Sequence, residues 1–224
     1  MTEASEQPGK RRLSRRAFIR LAVLGGVAVS CSGMGIAATH QPRIDYPEGS
    51  YGTSFQGNPI LIAYASRAGS TGEVAVAVGK RLSQDGTPVE VCRVGQVSDP
   101  GAYRAVVVGS AVRMGQWLPE AVDFVEKYRA VLQQRPTAYF TCGATLREDT
   151  PANRSEMEGY VVPVRQVLEP VAGGIFGGKM DYGKLSLLMR LLIQYMVKVP
   201  EGDFRSWATI DAWTDSVRPL LLNT

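Results

Sequence analysis

The sequence predicts an α/β protein whose doubly wound parallel sheet is covered by helices on both faces. Two observations predict this class: short, continuous apolar runs recur along the chain, and a segment with helical periodicity follows most of them. Strands that alternate with helices form a parallel sheet through right-handed crossovers. The 224 residues are enough for one such domain with additional segments.

Five strands are predicted, and they differ in how deeply they should be buried. Their ranges are 59–65, 88–94, 103–110, 136–142 and 171–178. The first and third are continuous apolar runs, which are typical of strands buried on both faces. The second alternates apolar and polar residues and is expected nearer an edge, whereas the fifth is rich in glycine.

Four helices are predicted between and after these strands. Their ranges are 70–86, 118–134, 153–170 and 206–222. The second helix has Pro119 in its first turn, where a missing N–H costs nothing. Pro163 predicts a kink within the third helix, because proline cannot donate to the carbonyl four residues earlier.

The composition excludes several kinds of chemistry. Hydrophobic residues make up 45% of the chain and the net charge is only +4, so a nucleic-acid partner is not expected. Five arginines lie in the first 20 residues, so the excess of positive charge belongs to the beginning of the chain. The three cysteines form no CxxC pair and His40 is the single histidine, so no metal site and no Ser-His-Asp triad is predicted. An enzyme of this composition would depend on a bound cofactor.

The first 38 residues resemble a twin-arginine export signal. "SRRAFIR", residues 14–20, contains the pair Arg15-Arg16, and an uncharged stretch rich in glycine and alanine follows over 21–38. Export to the periplasm or the outer face of the cytoplasmic membrane is the expectation, and an uncleaved anchor in that membrane is the alternative. Residues 39–58 are predicted to be a linker, with the folded domain spanning 59–224.

The loop after the first strand, 66–71, has the composition of an anion site. It comprises Ser66, Arg67, Ala68, Gly69, Ser70 and Thr71. Its hydroxyl groups and small residues let donors approach a ligand, and the following helix adds unpaired N–H groups and a favourable dipole. The loop lacks a P-loop lysine and a GxGxxG pattern, so a single phosphate monoester fits it better than a triphosphate or a dinucleotide. The alternative is a capping turn that binds nothing.

Two further loops are expected at the same edge of the sheet, because ligands bind beyond the carboxyl ends of parallel strands. Their candidate residues are Ser110, Ala111, Val112, Arg113, Met114, Gly115 and Trp117 in one loop and Thr141, Cys142, Gly143 and Ala144 in the other. Met114 and Trp117 could cover an aromatic ring. Alternatively, Trp117 begins the next helix and packs on the core.

Together these loops resemble the flavodoxin family, and the resemblance covers residues 59 to about 220. The positions that match its phosphate signature are Ile62, Tyr64, Ser66, Gly69, Thr71 and Ala75. Ala63 departs from the signature, since a larger apolar residue is usual there. The resemblance implies the strand order 2-1-3-4-5. It also implies FMN, with its phosphate on residues 66–71 and its isoalloxazine ring between the 110–117 and 141–146 loops.

Within that family, the chain resembles the menaquinone-dependent protoporphyrinogen dehydrogenases. The phosphate loop, the stretch "GSAVRMGQW" and a long segment from Lys179 to Trp213 carry this resemblance. Short flavodoxins pass almost directly from the fifth strand to the last helix. The resemblance implies electron transfer from protoporphyrinogen to a membrane quinone. Arg113 and Arg147 are candidates to meet a substrate carboxylate or the negative charge of the reduced flavin, unless they are merely solvated.

Residues 184–198, "KLSLLMRLLIQYMVK", predict a helix that is apolar over more than half its circumference and carries only positive charges. Such a helix suits an anionic membrane surface and is too short to span a bilayer. Packing on the domain core or in a dimer interface is the alternative.

The leader conflicts with the predicted substrate, because haem synthesis is a cytoplasmic task. Either the leader is an inward-facing anchor, or the exported protein does other redox work. Two alternatives follow from this conflict: an exported FMN-binding electron carrier that docks redox partner proteins, and a flavodoxin-like module that has lost its flavin.

Overall fold

The computed structural model describes residues 43–53, 57–197 and 200–222. The predicted signal or anchor, residues 1–38, and the first part of the predicted linker lie outside these residues. So do Cys31 and His40.

The centre of the domain is a mostly parallel sheet. Its strands are β1 (Gly49–Tyr51), β2 (Ile60–Ala65), β3 (Val89–Arg93), β4 (Ala105–Arg113), β5 (Gln116–Trp117), β6 (Thr137–Gly143) and β7 (Ala172–Gly177). Their order is β1-β3-β2-β4-β6-β7, with β5 paired to β4. The neighbours from β3 to β7 are parallel. The five predicted strands therefore follow the order 2-1-3-4-5, which confirms the predicted fold class.

The predicted linker contributes a strand to this sheet. Gly49–Tyr51 pairs antiparallel with β3, with Ser50 opposite Glu90. Nearby, the Tyr64 hydroxyl donates to the Pro47 carbonyl at 3.0 Å. The linker prediction thus missed a strand at these residues, because three residues are too few to show an alternating pattern. As a result β3 is not the edge of the sheet.

Helices cover both faces of the sheet. They are α1 (Ser70–Leu82), α2 (Pro119–Lys127), α3 (Arg129–Leu132), α4 (Pro151–Gly159), α5 (Val162–Val167), α6 (Leu187–Leu192) and α7 (Trp207–Leu222). The predicted helix 118–134 is broken at Tyr128, whose φ of −104° and ψ of 15° leave the helical region. The helix predicted over 153–170 is likewise divided, and Pro163 lies in the first turn of α5.

The buried strands explain the apolar runs of the sequence. All six residues of β2 are buried, and alternate residues contribute to the two cores on opposite faces of the sheet. Ile60, Ile62 and Tyr64 face α1 and α7, whereas Leu61 and Ala63 face the layer that contains α2 and α5. Each buried large apolar side chain stabilises the fold by about 1.5–3 kcal/mol.

A segment inserted between β7 and α7 forms a small unit of its own. Strands β8 (Lys179–Met180) and β9 (Gly202–Asp203) pair antiparallel at its base. Between them lies α6, which Ser186 caps by accepting a hydrogen bond from the Met189 N–H, and a π-helical turn follows over Ile193–Val197. Within the described part of the predicted helix 184–198, which leaves out Lys198, the α-helical residues are those of α6. Of the helices described, none is both long and apolar enough to cross a bilayer.

Candidate cofactor site

The three predicted loops lie at one edge of the sheet. The pairing of the parallel strands places Ala65 beside Ser110, and Ser110 beside Thr141. The carboxyl ends of β2, β4 and β6 are therefore neighbours. Strand order reverses at β2, whose neighbours are β3 and β4, and such a switch point is where ligands bind in open α/β sheets.

The loop after β2 is held in shape by its own glycine and serine. Gly69 has a φ of +83°, a conformation that favours glycine, and its N–H donates to the Ser66 Oγ at 2.9 Å. A Cβ at this position would lie 2.6 Å from the Asp45 carbonyl oxygen. The loop thus turns sharply into α1 while the preceding segment packs against it.

The start of α1 presents donors that the helix itself cannot use. The Glu73 N–H donates to the Gly69 carbonyl at 3.1 Å, so the N–H groups of Ser70, Thr71 and Gly72 precede the first intrahelical bond. The Thr71 hydroxyl is fully buried beside the Cys142 thiol, and no nitrogen or oxygen atom of a described residue is its hydrogen-bond partner. Unpaired donors and the positive end of the helix dipole fit a phosphate group.

One arginine of this loop and one from the inserted segment make ion pairs here. Arg67 forms an ion pair with Glu120, in the first turn of α2, at 3.0 Å. Arg205, which follows β9, is buried to 3% exposure and donates to Glu73 at 2.8 Å and to the Ser70 carbonyl at 3.3 Å. Sequence reasoning missed Arg205, since 134 residues separate it from Thr71 and no spacing pattern links them.

The loop after β4 is a tight hairpin. Val112 pairs with Trp117 and Arg113 with Gln116, so β5 runs back along β4. Met114 and Gly115 form the tip with φ values of +55° and +79°, and positive φ at both positions is typical of a type I′ turn. The Met114 side chain is 74% exposed at this tip.

The hydroxyl of Ser110 and the indole of Trp117, both in this second loop, form hydrogen bonds within the protein. The fully buried Ser110 hydroxyl accepts from the Leu118 N–H at 3.0 Å and donates to the Ala111 carbonyl at 2.9 Å. The Trp117 indole N–H donates to the Thr141 Oγ1 at 2.9 Å, and its ring is 3% exposed. The predicted role of Trp117 as a cover for an aromatic ring stays a prediction. Of the alternative, the structure shows the packing on the core but not the helix, since Trp117 lies in β5 and α2 begins at Pro119.

The beginning of the loop after β6 is buried and packs closely against α4. The Cys142 thiol is buried, and this burial raises its pKa to about 12, so it stays protonated at neutral pH. A Cβ at Gly143 would lie 2.6 Å from the Met157 sulfur. Ala144 then begins a short 3₁₀ turn that ends at the exposed Arg147.

A cleft of about 210 Å³ lies between the first two loops. It is lined by Arg67, Arg113, Met114, Gln116, Trp117, Leu118 and Pro119. The Arg113 guanidinium also lies 3.9 Å from the Met189 sulfur, so the inserted segment reaches the hairpin. Elsewhere in the described ranges, no cluster of acidic, histidine or cysteine side chains could hold a metal ion.

A doubly wound sheet with an open helix N-terminus at its switch point defines an α/β protein built to hold a phosphate-bearing ligand. The sequence matches the flavodoxin domain family over residues 61–206, about two thirds of its length. The chain belongs to that family. This membership supports FMN, the cofactor that the sequence resemblance implied.

Characterised relatives share a more specific name. The chain is 24% identical to the protoporphyrinogen IX dehydrogenase [quinone] of Escherichia coli K12, over 64% of this chain and 81% of that protein. It is 26% identical to the enzyme of the same name from Leishmania major, over 71% of each chain. Flavodoxin 2 from Bacillus cereus is a similar solved structure, with a TM-score of 0.43, 19% identity and coverage of 70% of this chain and 96% of that one.

Proposed function

We propose that this chain is an FMN-dependent oxidoreductase that takes electrons from protoporphyrinogen, or from a substrate like it, and passes them to menaquinone. The observation that carries the proposal is the start of α1, where unpaired N–H groups and the buried Thr71 hydroxyl await an anion. The names of the two relatives support the choice of substrate and acceptor.

In this proposal the FMN phosphate binds to residues 66–71, and the ring lies between the 110–117 hairpin and residues 141–146. FMN supplies the hydride chemistry, and the chain supplies binding and orientation. Exposed Met114 is the side chain of the hairpin that is free to contact the ring, since Trp117 is buried. Closely packed Gly143 and the neutral Cys142 thiol form an uncharged floor for the site.

Arg113 is the proposed partner of a substrate carboxylate. It lines the cleft beside the phosphate loop, and within the described part of the chain no carboxylate pairs with it. Arg67 lines the same cleft but is already paired with Glu120. A guanidinium without a partner binds a carboxylate in a charge-assisted pair, and protoporphyrinogen carries such groups. The exposed Arg147 is the second candidate.

The inserted segment is the proposed contact with the membrane surface that holds the quinone. Leu191 and Tyr195 are exposed to 44% and 68%, and exposed Arg190 lies on the same segment. Apolar side chains with cationic neighbours suit an anionic lipid surface. Sedimentation with anionic vesicles tests this contact. A Leu191→Ser/Tyr195→Ser variant should bind less than the unchanged protein and keep its flavin.

The decisive experiment follows electrons through the purified protein. A yellow protein that releases FMN on denaturation supports the cofactor, whereas a well-folded colourless protein that does not take up FMN refutes it. Oxidation of protoporphyrinogen coupled to menaquinone reduction then tests the reaction. Arg113→Gln should raise the KM for the substrate by about tenfold with kcat little changed, because it removes one charge-assisted contact. The exposed Arg129→Gln serves as the control.

A second candidate function is an exported electron carrier, and the twin-arginine pattern at Arg15-Arg16 is what favours it. A flavin that dithionite reduces and protoporphyrinogen does not would support this carrier. Replacing both arginines with lysine should retain the protein inside the cell if the leader directs twin-arginine export. Unchanged location would contradict export by that route.

A further inference from the structure

Arg205 connects the inserted segment to the start of α1. Its side chain is 3% exposed, and its guanidinium donates to two carboxylates and one carbonyl. The bonds run to Glu73 at 2.8 Å, to Asp203 at 2.6 and 2.8 Å, and to the Ser70 carbonyl at 3.3 Å. A buried arginine with this many partners is held in a single orientation.

The backbone around Arg205 is fixed as well. The Phe204 N–H donates to the Gly178 carbonyl at 3.0 Å, which joins the end of the insertion to the end of β7. A Cβ at Gly177 would lie 2.0 Å from the Phe204 carbonyl oxygen, so the two backbones are in direct contact. Arg205 is therefore held toward α1 from a rigid base.

The carboxylate of Glu73 places a negative charge next to the proposed phosphate site. Glu73 is the acidic residue in the first turn of α1, immediately after the three N–H groups that face the proposed phosphate. An unpaired carboxylate there would repel a phosphate dianion. Arg205 pairs with Glu73 at 2.8 Å, and Lys184, from the same insertion, lies 3.9 Å away. Both cations that offset Glu73 thus belong to the inserted segment.

We propose that Arg205 is a positioning residue for the cofactor phosphate: it fixes the first turn of α1 and offsets the charge of Glu73. The inserted segment thereby sets the affinity for FMN as well as forming part of the surface above the site. This inference rests on the proposed placement of the phosphate on residues 66–71 and is independent of the substrate.

The test compares FMN with riboflavin, which lacks the phosphate, by fluorescence titration of the apoprotein. Arg205→Met should raise the Kd for FMN by about 10- to 100-fold, the size expected for a lost charged contact, and leave the Kd for riboflavin within about twofold. Glu73→Gln should restore most of the FMN affinity in the Arg205→Met background, because the repelling charge is then gone. Arg81→Met, which breaks a bidentate pair with Asp215 at the other end of α1, is the matched control and should leave both affinities unchanged.

The outcomes separate this inference from the proposed site. Ser66→Ala should also weaken FMN and spare riboflavin; if it does not, the phosphate placement is wrong. If Ser66→Ala has that effect and Arg205→Met does not, the inference alone is overturned. Equal weakening of both ligands, or no rescue by Glu73→Gln, would assign Arg205 a packing role only. Should Arg205→Met fail to fold, Arg205→Lys keeps the charge and must show the same selective loss at a smaller size.

Discussion

The loop after β2 and the loop after β4 carry similar polar side chains, but the two loops differ in whether these side chains are hydrogen-bonded within the protein. Both begin with a buried serine at the end of a parallel strand. In the first loop the Ser66 hydroxyl shapes the turn and the Thr71 hydroxyl is left without a nitrogen or oxygen partner in the described structure. In the second, the Ser110 hydroxyl has two partners and the Trp117 indole has one. The first is open to a ligand, whereas the second is closed on itself.

This difference concerns how the hydrogen bonds of the polar side chains are satisfied in the two loops. Hydroxyl and aromatic side chains near a strand end occur in both loops, so their presence does not show whether a loop can bind a ligand. What decides is whether the protein has already satisfied their hydrogen bonds, because a buried donor without a partner costs free energy that a ligand can recover. The predictions below test the contrast between the open and the closed loop.

The largest effect is expected in the closed loop. Trp117→Ala should lower the free energy of unfolding of the apoprotein by about 3–5 kcal/mol, because the ring packs in the core against Tyr139. Urea denaturation measures this loss. Met114→Ala, at the exposed tip of the same hairpin, should stay within about 0.5 kcal/mol of the unchanged protein. Normal stability of Trp117→Ala with loss of FMN would instead show that the indole covers the ring.

In the open loop the backbone itself is the sensitive feature. Gly69→Ala should destabilise the apoprotein by about 1–2 kcal/mol through its positive φ, and contact with the Asp45 carbonyl oxygen adds to this cost. The same change should weaken FMN binding. Gly86→Ala, with a φ of +87° beyond the far end of α1, is the control. It should lose stability by its own strain and keep its FMN affinity; equal loss of FMN in both variants would contradict a local effect.

Thr141→Val tests the bond that closes the second loop. It removes the acceptor of the Trp117 indole N–H and leaves a buried donor unpaired, which should cost about 1–3 kcal/mol of stability. Thermal or urea unfolding of the apoprotein measures the loss. FMN affinity should change little once the protein is folded. A strong, selective loss of FMN would mean that Thr141 faces the cofactor.

The fold was predictable because its signal is local. The apolar run of β2 and the amphipathic pattern of α1 lie within single segments, and the strand order followed from a resemblance carried by residues 62–75. The short strand Gly49–Tyr51 gave no such signal. Its place depends on pairing with β3, some 40 residues away along the chain.

The site was predictable only in part, for the same physical reason. The sequence locates the three loops because parallel strands end at one edge, but it does not show which side chains point inward. Trp117 turns into the core because the Met114–Gly115 turn folds β5 back along β4. Arg205 approaches α1 through contacts between Phe204 and the end of β7. Such long-range contacts leave no periodic pattern in a single sequence.

Thr71→Val is the counterpart of Thr141→Val in the open loop. Valine has the shape of threonine, and the Thr71 hydroxyl has no nitrogen or oxygen partner among the described residues, with the Cys142 thiol beside it. The apoprotein should therefore keep its stability or gain slightly. FMN affinity should fall by about 10- to 100-fold, since a hydrogen bond to a charged group contributes about 1.5–3 kcal/mol. If Thr71→Val lost as much apoprotein stability as Thr141→Val, the Thr71 hydroxyl would be as well bonded as that of Thr141, and the contrast between the two loops would be wrong.

The smallest effect concerns pH, because Arg205, which bonds the Ser70 carbonyl at the end of the open loop, is itself paired with the carboxylate of Asp203. The hydrogen bond that Arg205 donates to Asp203 holds the pKa of the Asp203 carboxyl below its usual value of 3.8. Asp203 therefore contributes stability above about pH 4, and this contribution is lost as the pH falls through the lower, folded pKa. The loss should be below about 1 kcal/mol, since Asp203 is 41% exposed.

Nuclear magnetic resonance of the apoprotein between pH 6 and pH 3 can locate this effect. The amide resonances of Ser70 and Phe204 should titrate, because Arg205 bonds the first and directly follows the second. Those of Val112 and Trp117 should not, since neutral hydrogen bonds and packing hold the hairpin. Asp203→Asn should reduce the titration at Ser70, where Glu73 remains the second carboxylate bonded to Arg205. If the hairpin amides shift together with Ser70, the two loops are not held by different forces.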